Sequence, residues 1–528
     1  MIPSAYRDTF ARDNLPPQDQ WPEFRFTLPE LQYSDRLNCV TEFIDKWVAN
    51  NGDRTAILSA AETLNYRQLA GRINRIANVL TRDLGMMPGN RVLLRAPNSP
   101  MAIAAYLAVI KAGGIVVATM PLLRAKELSY VVTKAQIKLA LCDARLADEI
   151  EKARPLAPHL EKIAYWGHGE LEAMMGKPGY ETFTACDTAI DDVCLIAFTS
   201  GTTGEPKGTM HFQRDMLASC DSYSKYVLQP NHDDRFIGSA PLAFTFGLGG
   251  HVLFPFRIGA ATIQLEKAPP EELLPAIAKF GATIVFTAPT AYRAMLPKLS
   301  EHNISSLRKC VSAGEMLPKA TFDAWRKATG LQILDGIGAT EMMHIFIGAP
   351  ESGIRAGSTG KAVPGYEAKV IDDEGREVSP GTVGRLAVRG PTGCRYLADA
   401  RQTKYVQNGW NVTGDTYMMD ADGYFWYQAR SDDMIISAGY NIAGPEVESA
   451  LLMHAAVAEC GVVGVADEER GQIVKAYVVL RAGHNADATM TRVLQDFVKA
   501  TVAPYKYPRA IEYVGELPKT QTGKLQRF

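Results

Sequence analysis

Residues 198–208 read Phe198-Thr199-Ser200-Gly201-Thr202-Thr203-Gly204-Glu205-Pro206-Lys207-Gly208, a run of hydroxyls and glycines with one lysine. The chain enters it from Cys194-Leu195-Ile196-Ala197-Phe198, a short and nearly continuous apolar run that suits a strand buried on both faces. Gly201, Gly204 and Gly208 allow backbone N–H groups to approach oxygens closely, Ser200, Thr202 and Thr203 supply hydroxyl donors, and Lys207 supplies charge. Together they read as a phosphate-holding loop, too dense in these residues for an ordinary surface connection. A Walker A loop starting at Gly201 needs glycine at 206, where this chain has Pro206, so the loop is of another kind. A helix over 211–228 is expected to follow.

Outward from the loop, helical and short β-branched segments alternate through the first two thirds of the chain, as in 66–84, 91–94, 102–112, 115–118 and 284–287. Such alternation predicts an α/β architecture with parallel strands. Between Tyr366 and Arg389 the texture changes to short strands (368–371 and 384–388) joined by polar turns, which predicts a small β-rich subdomain within about 360–430. A second α/β pattern follows Arg430, with helices expected at 446–454 and 490–502 and strands at 457–465 and 475–480. The expected division is a large N-terminal domain, residues 1–431, and a small mobile α+β C-terminal domain, residues 432–528.

A chain of 528 residues, 47% hydrophobic and 22% charged, supports a large core and more than one domain. Its net charge of −2 gives no basic field for nucleic acid, which leaves small-molecule chemistry as the expectation. The eight cysteines are scattered without a CxxC pair or a histidine at metal-ligand spacing, and read as reduced thiols of the core. Arg7, Asp8, Arg12 and Asp13 interrupt the N-terminal segment, so no secretory signal is expected and the cytoplasm is the expected compartment. The longest apolar stretch, 101–123, is broken by Lys111 and Gly113-Gly114 and reads as a helix followed by a core strand, not a membrane span.

Further strings carry chemistry. Asp335-Gly336-Ile337-Gly338-Ala339-Thr340-Glu341 puts a hydroxyl and a carboxylate at the end of a short strand, and a carboxylate beside phosphate suggests Mg²⁺, which needs few protein ligands. Ser312-Ala313-Gly314-Glu315 reads equally as a plain β-to-α turn. Thr413-Gly414-Asp415 supplies a carboxylate able to accept from two hydroxyls. Arg430-Ser431-Asp432-Asp433 is a polar linker with few apolar anchors, which suits a hinge. At the end of the sequence, Pro518-Lys519-Thr520-Gln521-Thr522-Gly523-Lys524 frames a lysine in turn-forming residues. Pro241-Leu242-Ala243-Phe244-Thr245-Phe246-Gly247 and Glu341-Met342-Met343-His344-Ile345-Phe346 are rich in apolar and aromatic residues.

In this order and at these separations, the strings resemble those of the adenylate-forming superfamily of acyl- and aryl-CoA synthetases, peptide-synthetase adenylation domains and luciferases. Segment 341–346, with Asp8-Thr9-Phe10-Ala11-Arg12-Asp13-Asn14-Leu15-Pro16-Pro17, is similar to the benzoate- and 2-aminobenzoate-CoA ligase branch. One departure is Ala429, where the family usually has glycine. The resemblance implies ATP, Mg²⁺ and coenzyme A as cofactors and an aromatic carboxylate as substrate, with no nucleic acid or membrane partner; a homodimer is compatible with it. It implies nucleotide contacts from Thr199, Ser200, Gly201, Thr202, Thr203, Gly204, Lys207, Ala313, Gly314, Glu315, Asp335 and Gly336, and ribose contacts from Asp415 and Arg430. Thr340 would contact the α-phosphate, Glu341 the metal, and Lys524 would be the catalytic lysine. Asp432 would be the pivot, and Gly439 would line the path of the CoA arm. Thr245, Phe246, His344 and Ile345 would line the aryl ring. The acyl-pocket segment lacks the aspartate that pairs with an α-ammonium, which argues against α-amino acids. A neutral His344 could pair with an ortho amino group, which tilts the expectation to 2-aminobenzoate. A benzoate-CoA ligase of broader range and a free-standing enzyme that loads a carrier protein are the alternatives.

Overall fold

The computed structural model describes residues 2–199, 205–314, 317, 319–430 and 434–518. Among them, the strand predicted from the apolar run forms over Val193–Thr199 and lies in a six-stranded sheet. Its neighbours in order are Lys162–Trp166, Leu139–Asp143, Arg91–Arg95 and Ile115–Thr119, all parallel, then Val193–Thr199 and an antiparallel Lys207–Phe212. That last strand corrects the sequence reading. The phosphate loop joins two strands of a hairpin, Thr199 opposite Lys207, and the helix begins at Gln213 instead of His211. Thr209 and His211 look polar in isolation, yet both are fully buried, because distant segments cover this strand inside the protein, Tyr396 bridging Thr209 and the Thr340 carbonyl meeting His211.

A nine-stranded sheet carries the rest of the large α/β region. Its centre, from Ile333–Gly338 through Lys309–Ser312, Ile284–Thr287, Arg235–Gly238 and Ala261–Gln264 to Thr55–Ser59, is parallel, with antiparallel strands at both ends. Helix Pro100–Lys111 is buried on nearly every side, and its residues share one apolar cluster with strands of both sheets. Such a helix, apolar all round, belongs in a core. Ser99 starts it by accepting from the Ala102 N–H at 3.1 Å, with proline at the first helical position. Strand Ile115–Thr119 follows, as expected, and among the described residues no helix is long and apolar enough to cross a membrane.

The expected β-rich region forms a five-stranded sheet that includes Glu367–Ile371, Val383–Arg389, Trp410–Met419 and Phe425–Arg430. Beyond 434 a separate five-stranded sheet, with helices Gly444–Leu452 and Ala488–Thr501, encloses its own apolar cluster around Ile442, Val462, Val474 and Leu494. The whole is mixed α/β: a large parallel-sheet N-terminal region with its β-rich sheet, then the small C-terminal unit. The eight cysteines are free and all but Cys186 are buried. Asp432 and its hinge neighbours 431–433 lie outside the described residues.

Candidate active site

The carboxyl ends of the parallel strands, with the C-terminal unit packed above them, enclose a cavity of about 1320 Å³. Thr199, Ala313, Gly314, Thr340, Thr245, Phe246, His344, Ile345 and Gly439, separated by up to 240 positions in the sequence, all stand on its wall. Open α/β sheets collect ligands at strand ends in this way. Gly314 has φ +88°, a backbone that other residues adopt at a cost. Ser200, Gly201, Thr202, Thr203, Gly204, Glu315 and Lys524 lie outside the described residues.

Behind the cavity wall, Lys207 and Glu341 meet across Tyr396. The fully buried Tyr396 hydroxyl donates to Glu341 Oε1 and accepts from Lys207 Nζ at 2.9 Å, while Lys207 and Glu341 stand 3.6 Å apart. Thr340 is fixed from beneath as well: His211 Nε2 donates to its carbonyl at 2.7 Å, and His211 Nδ1 lies 3.4 Å from the Asp215 carboxylate. Arg395 closes the chain by pairing with Asp215, both fully buried. Burial works against the Asp215 charge, yet Arg395 and His211 hold its carboxyl below the usual range. The sequence reading missed Tyr396, Arg395, His211 and Asp215. A buried charge at 215 and a partner at 395 gain meaning only once the strands 207–212 and the loop after 389 are side by side.

Asp335, Gly336 and Asp415 stand beside the cavity wall instead of on it. Asp335 pairs with Ser312 in the adjacent strand. Its Oδ1 and the Ser312 hydroxyl are sealed from solvent with no hydrogen-bond partner among the described residues. Burial pushes the Asp335 carboxyl up to about 8. Asp415 and Arg430 face each other as backbone partners in the β-rich sheet. The fully buried hydroxyl of Tyr417 feels both carboxylates; burial first, then Asp415 and Asp335, oppose its ionisation.

The aromatic part of the cavity is built around His344. Its imidazole packs against Phe254 (ring centroids 4.6 Å apart), Tyr223 (5.4 Å), Phe246 (5.6 Å) and Phe286 (6.3 Å). Met343, the residue before it, has φ +71°, strained for a side chain of its size, and this turn sets the backbone from which His344 projects. Burial pushes the His344 imidazole down to about 3, so it is neutral at physiological pH, and neither ring nitrogen has a protein partner among the described residues. A buried polar group without a partner is costly, and a ligand that supplies one relieves the cost. Gly249 makes room for the ring: a Cβ there would stand 2.4–2.5 Å from two imidazole atoms. The neighbouring segment is clamped by Asn98, which donates to the Ala240 carbonyl at 3.1 Å and accepts from the Leu242 N–H at 2.8 Å.

Residues 44–396 match the AMP-binding enzyme family, and residues 446–524 match the AMP-binding enzyme C-terminal domain. The chain belongs to the AMP-binding enzymes. It is 35% identical over 513 residues to a benzoate–CoA ligase of Thauera aromatica, covering 95% of this chain and 97% of that protein. Among solved structures, the anthranilate CoA ligase AuaEII in complex with anthranoyl-AMP superposes with a TM-score of 0.75 at 35% identity, over 95% of this chain and 98% of that one. A benzoate CoA ligase from Burkholderia xenovorans LB400 gives 0.70 at 30% identity, over 93% and 98%. Over nearly its whole length this chain is thus similar to ligases of aromatic acids.

Proposed function

We propose that this AMP-binding enzyme is an aryl-CoA ligase that joins an aromatic carboxylate, 2-aminobenzoate foremost, to ATP as an aryl-AMP and then to coenzyme A as the thioester. The observation that carries the reading is the neutral, unpartnered His344 inside a ring of four aromatic side chains on the wall of a cavity reached by Thr340 and Gly439. Flat apolar walls suit an aryl ring, and a bare imidazole nitrogen suits an ortho amino group. The similarity to an anthranilate CoA ligase crystallised with anthranoyl-AMP supports the same choice.

A carboxylate resists attack by a thiol, so it must first gain a leaving group, and the adenylate supplies one. Thr199, Ser200, Gly201, Thr202, Thr203, Gly204 and Lys207 hold the phosphates, Ala313, Gly314, Glu315, Asp335 and Gly336 the adenine side, and Asp415 with Arg430 the ribose. Thr340 contacts the α-phosphate and Lys524 bridges it to the carboxylate. The C-terminal domain, residues 432–528, turns about Asp432 between the two steps and presents Gly439 to the CoA arm. For magnesium the donor set fits: one buried carboxylate, Glu341, fixed by a hydrogen bond, leaves room for the water and phosphate oxygens this ion prefers. When bound it neutralises phosphate charge. Catalysis rests on position and charge, and no side-chain nucleophile is required.

The test is AMP release with ATP, Mg²⁺ and CoA over a panel of 2-aminobenzoate, benzoate, hydroxybenzoates, cinnamates and medium-chain fatty acids. We expect 2-aminobenzoate to lead in kcat/KM, and His344→Leu to narrow its lead over benzoate by about 1–3 kcal/mol, the cost of leaving the buried amino group unpaired. Turnover confined to fatty acids or cinnamates overturns the aryl assignment. Aryl-AMP formed without CoA turnover, with transfer only to a carrier protein, replaces the acceptor.

A further inference from the structure

On the cavity wall, one buried charge cluster spans the N-terminal region and the C-terminal unit. Lys506 of the C-terminal domain is 5% exposed, and its ammonium lies 2.9 Å from Glu127 Oε1 of the N-terminal region and 2.7 Å from Glu446 Oε1 of its own domain. Glu127 is held at both oxygens. Oε1 also accepts from the Ala503 N–H at 3.3 Å, and Oε2 accepts from the Arg124 N–H at 2.9 Å, capping helix Ala125–Lys134. Glu127 and Glu446 line the cavity, as does Lys506. Its neighbour Tyr505 stacks on Tyr440, centroids 4.4 Å apart and planes at 28°, and Tyr440 follows Gly439 on the cavity wall. The same loop is tied within its domain, where the Ala438 N–H donates to the Arg470 carbonyl at 3.0 Å.

We propose that Lys506 is a positioning residue for the thioester-forming step: clasped between Glu127 and Glu446, it fixes the C-terminal domain in the orientation that sets Gly439 and Tyr440 against the cavity. The proposal rests on the ligase reading above. Charge balance supports a clasp that also lets go. Two carboxylates share one ammonium, and Glu446 Oε2 is buried without a partner among the described residues. Removing such groups from water costs much of what their attraction returns, so a buried ion cluster adds little net stability and much geometric selectivity. Undocked, all three groups regain water. The docked orientation is therefore specified without being locked, as a domain that must also serve the adenylation step requires. An apolar contact of the same area would hold the domain more indiscriminately.

The experiment uses the full chain and whichever acid the native enzyme activates. Aryl-AMP formation is followed by pyrophosphate exchange, and transfer to CoA by single turnover from presynthesised acyl-AMP, in Lys506→Met, Glu127→Gln and Lys506→Arg. We expect transfer to CoA to slow by on the order of ten- to a hundredfold in the first two variants, the scale of a misplaced reacting group. Exchange should stay within about twofold, which also shows that the variants fold, and Lys506→Arg should recover much of the transfer rate because it keeps the charge. Equal loss in both half-reactions would reduce the cluster to a structural support, and unchanged transfer in both Lys506→Met and Glu127→Gln would remove it from the mechanism. Failure of the ligase reading is a separate result, seen in the native enzyme as no acyl-AMP from any aryl acid.

Discussion

Gly249 is where a single hydrogen atom decides the shape of the aryl site. A methyl group there would overlap the His344 imidazole, which Phe246, Phe254, Phe286 and Tyr223 pack around on the cavity wall. Overpacking of this kind costs about 1–3 kcal/mol and displaces the side chain in its way. Gly249→Ala should thus lower kcat/KM for aryl acids by tenfold or more, by roughly that energy, with pyrophosphate exchange on a small aliphatic acid affected less; equal loss on both would place the damage outside the ring site. Asp335 makes a pH-dependent contribution. Its carboxyl is held up near 8 in the folded protein against an ordinary 3.8, so the native state keeps a proton that the unfolded chain has released. Stability from this group therefore falls as pH rises from about 4 to about 8, and is constant above. Asp335→Asn does not titrate, so its thermal midpoint should gain on that of the native chain steadily across this window; a gap independent of pH would contradict the assignment.

Between strands and loops, Lys207, Thr340 and Glu341, which the proposed reading assigns to phosphate and metal, are held by a lattice of groups that no single motif contains. Tyr396 ties Lys207 on one strand to Glu341 on a short turn, and His211, Asp215 and Arg395 carry the Thr340 carbonyl. Tyr396→Phe removes the shared hydroxyl and leaves two opposite charges 3.6 Å apart, free to collapse onto each other. We expect it to raise the Mg·ATP concentration needed for half-maximal pyrophosphate exchange severalfold, on the order of the 1 kcal/mol of a lost hydrogen bond, while transfer from presynthesised aryl-AMP to CoA is unchanged. Calorimetric binding of Mg·ATP should weaken in step. The same lattice explains what could be read beforehand. Val193–Thr199 announced itself because a strand buried on both faces is written as an unbroken apolar run. Strand Lys207–Phe212 did not, since Thr209 and His211 are buried by partners far along the chain. Phe246 and His344 came from strings with family meaning. Tyr223, Phe254 and Phe286, which complete the same ring, sit in elements whose apolar residues read as plain core until the nine-stranded sheet brings them together.

Across the whole molecule, in the proposed reading one small domain must serve two steps with different chemistry, and the docked orientation suits one of them. With Lys506 between Glu127 and Glu446, Gly439 and Tyr440 lie on the cavity wall. Gly439 has φ +81°, and a loop that turns so tightly brings backbone close to the cavity. Lys524, by the family resemblance, serves the other step. Adenylation needs a cation at the bond being made between carboxylate and α-phosphate, whereas thioester formation needs an open path for a thiol and an anionic AMP leaving group held in place. The two demands separate in variants. Lys524→Ala should reduce aryl-AMP formation by a hundredfold or more, on the order of the loss when one charge-stabilising group is removed from a transition state, yet leave presynthesised aryl-AMP reactive towards CoA at close to the native rate. Lys506→Met should do the reverse. If Lys524→Ala slowed both steps alike, one fixed arrangement would be doing all the chemistry, and the exchange of positions by the C-terminal domain would have to be abandoned.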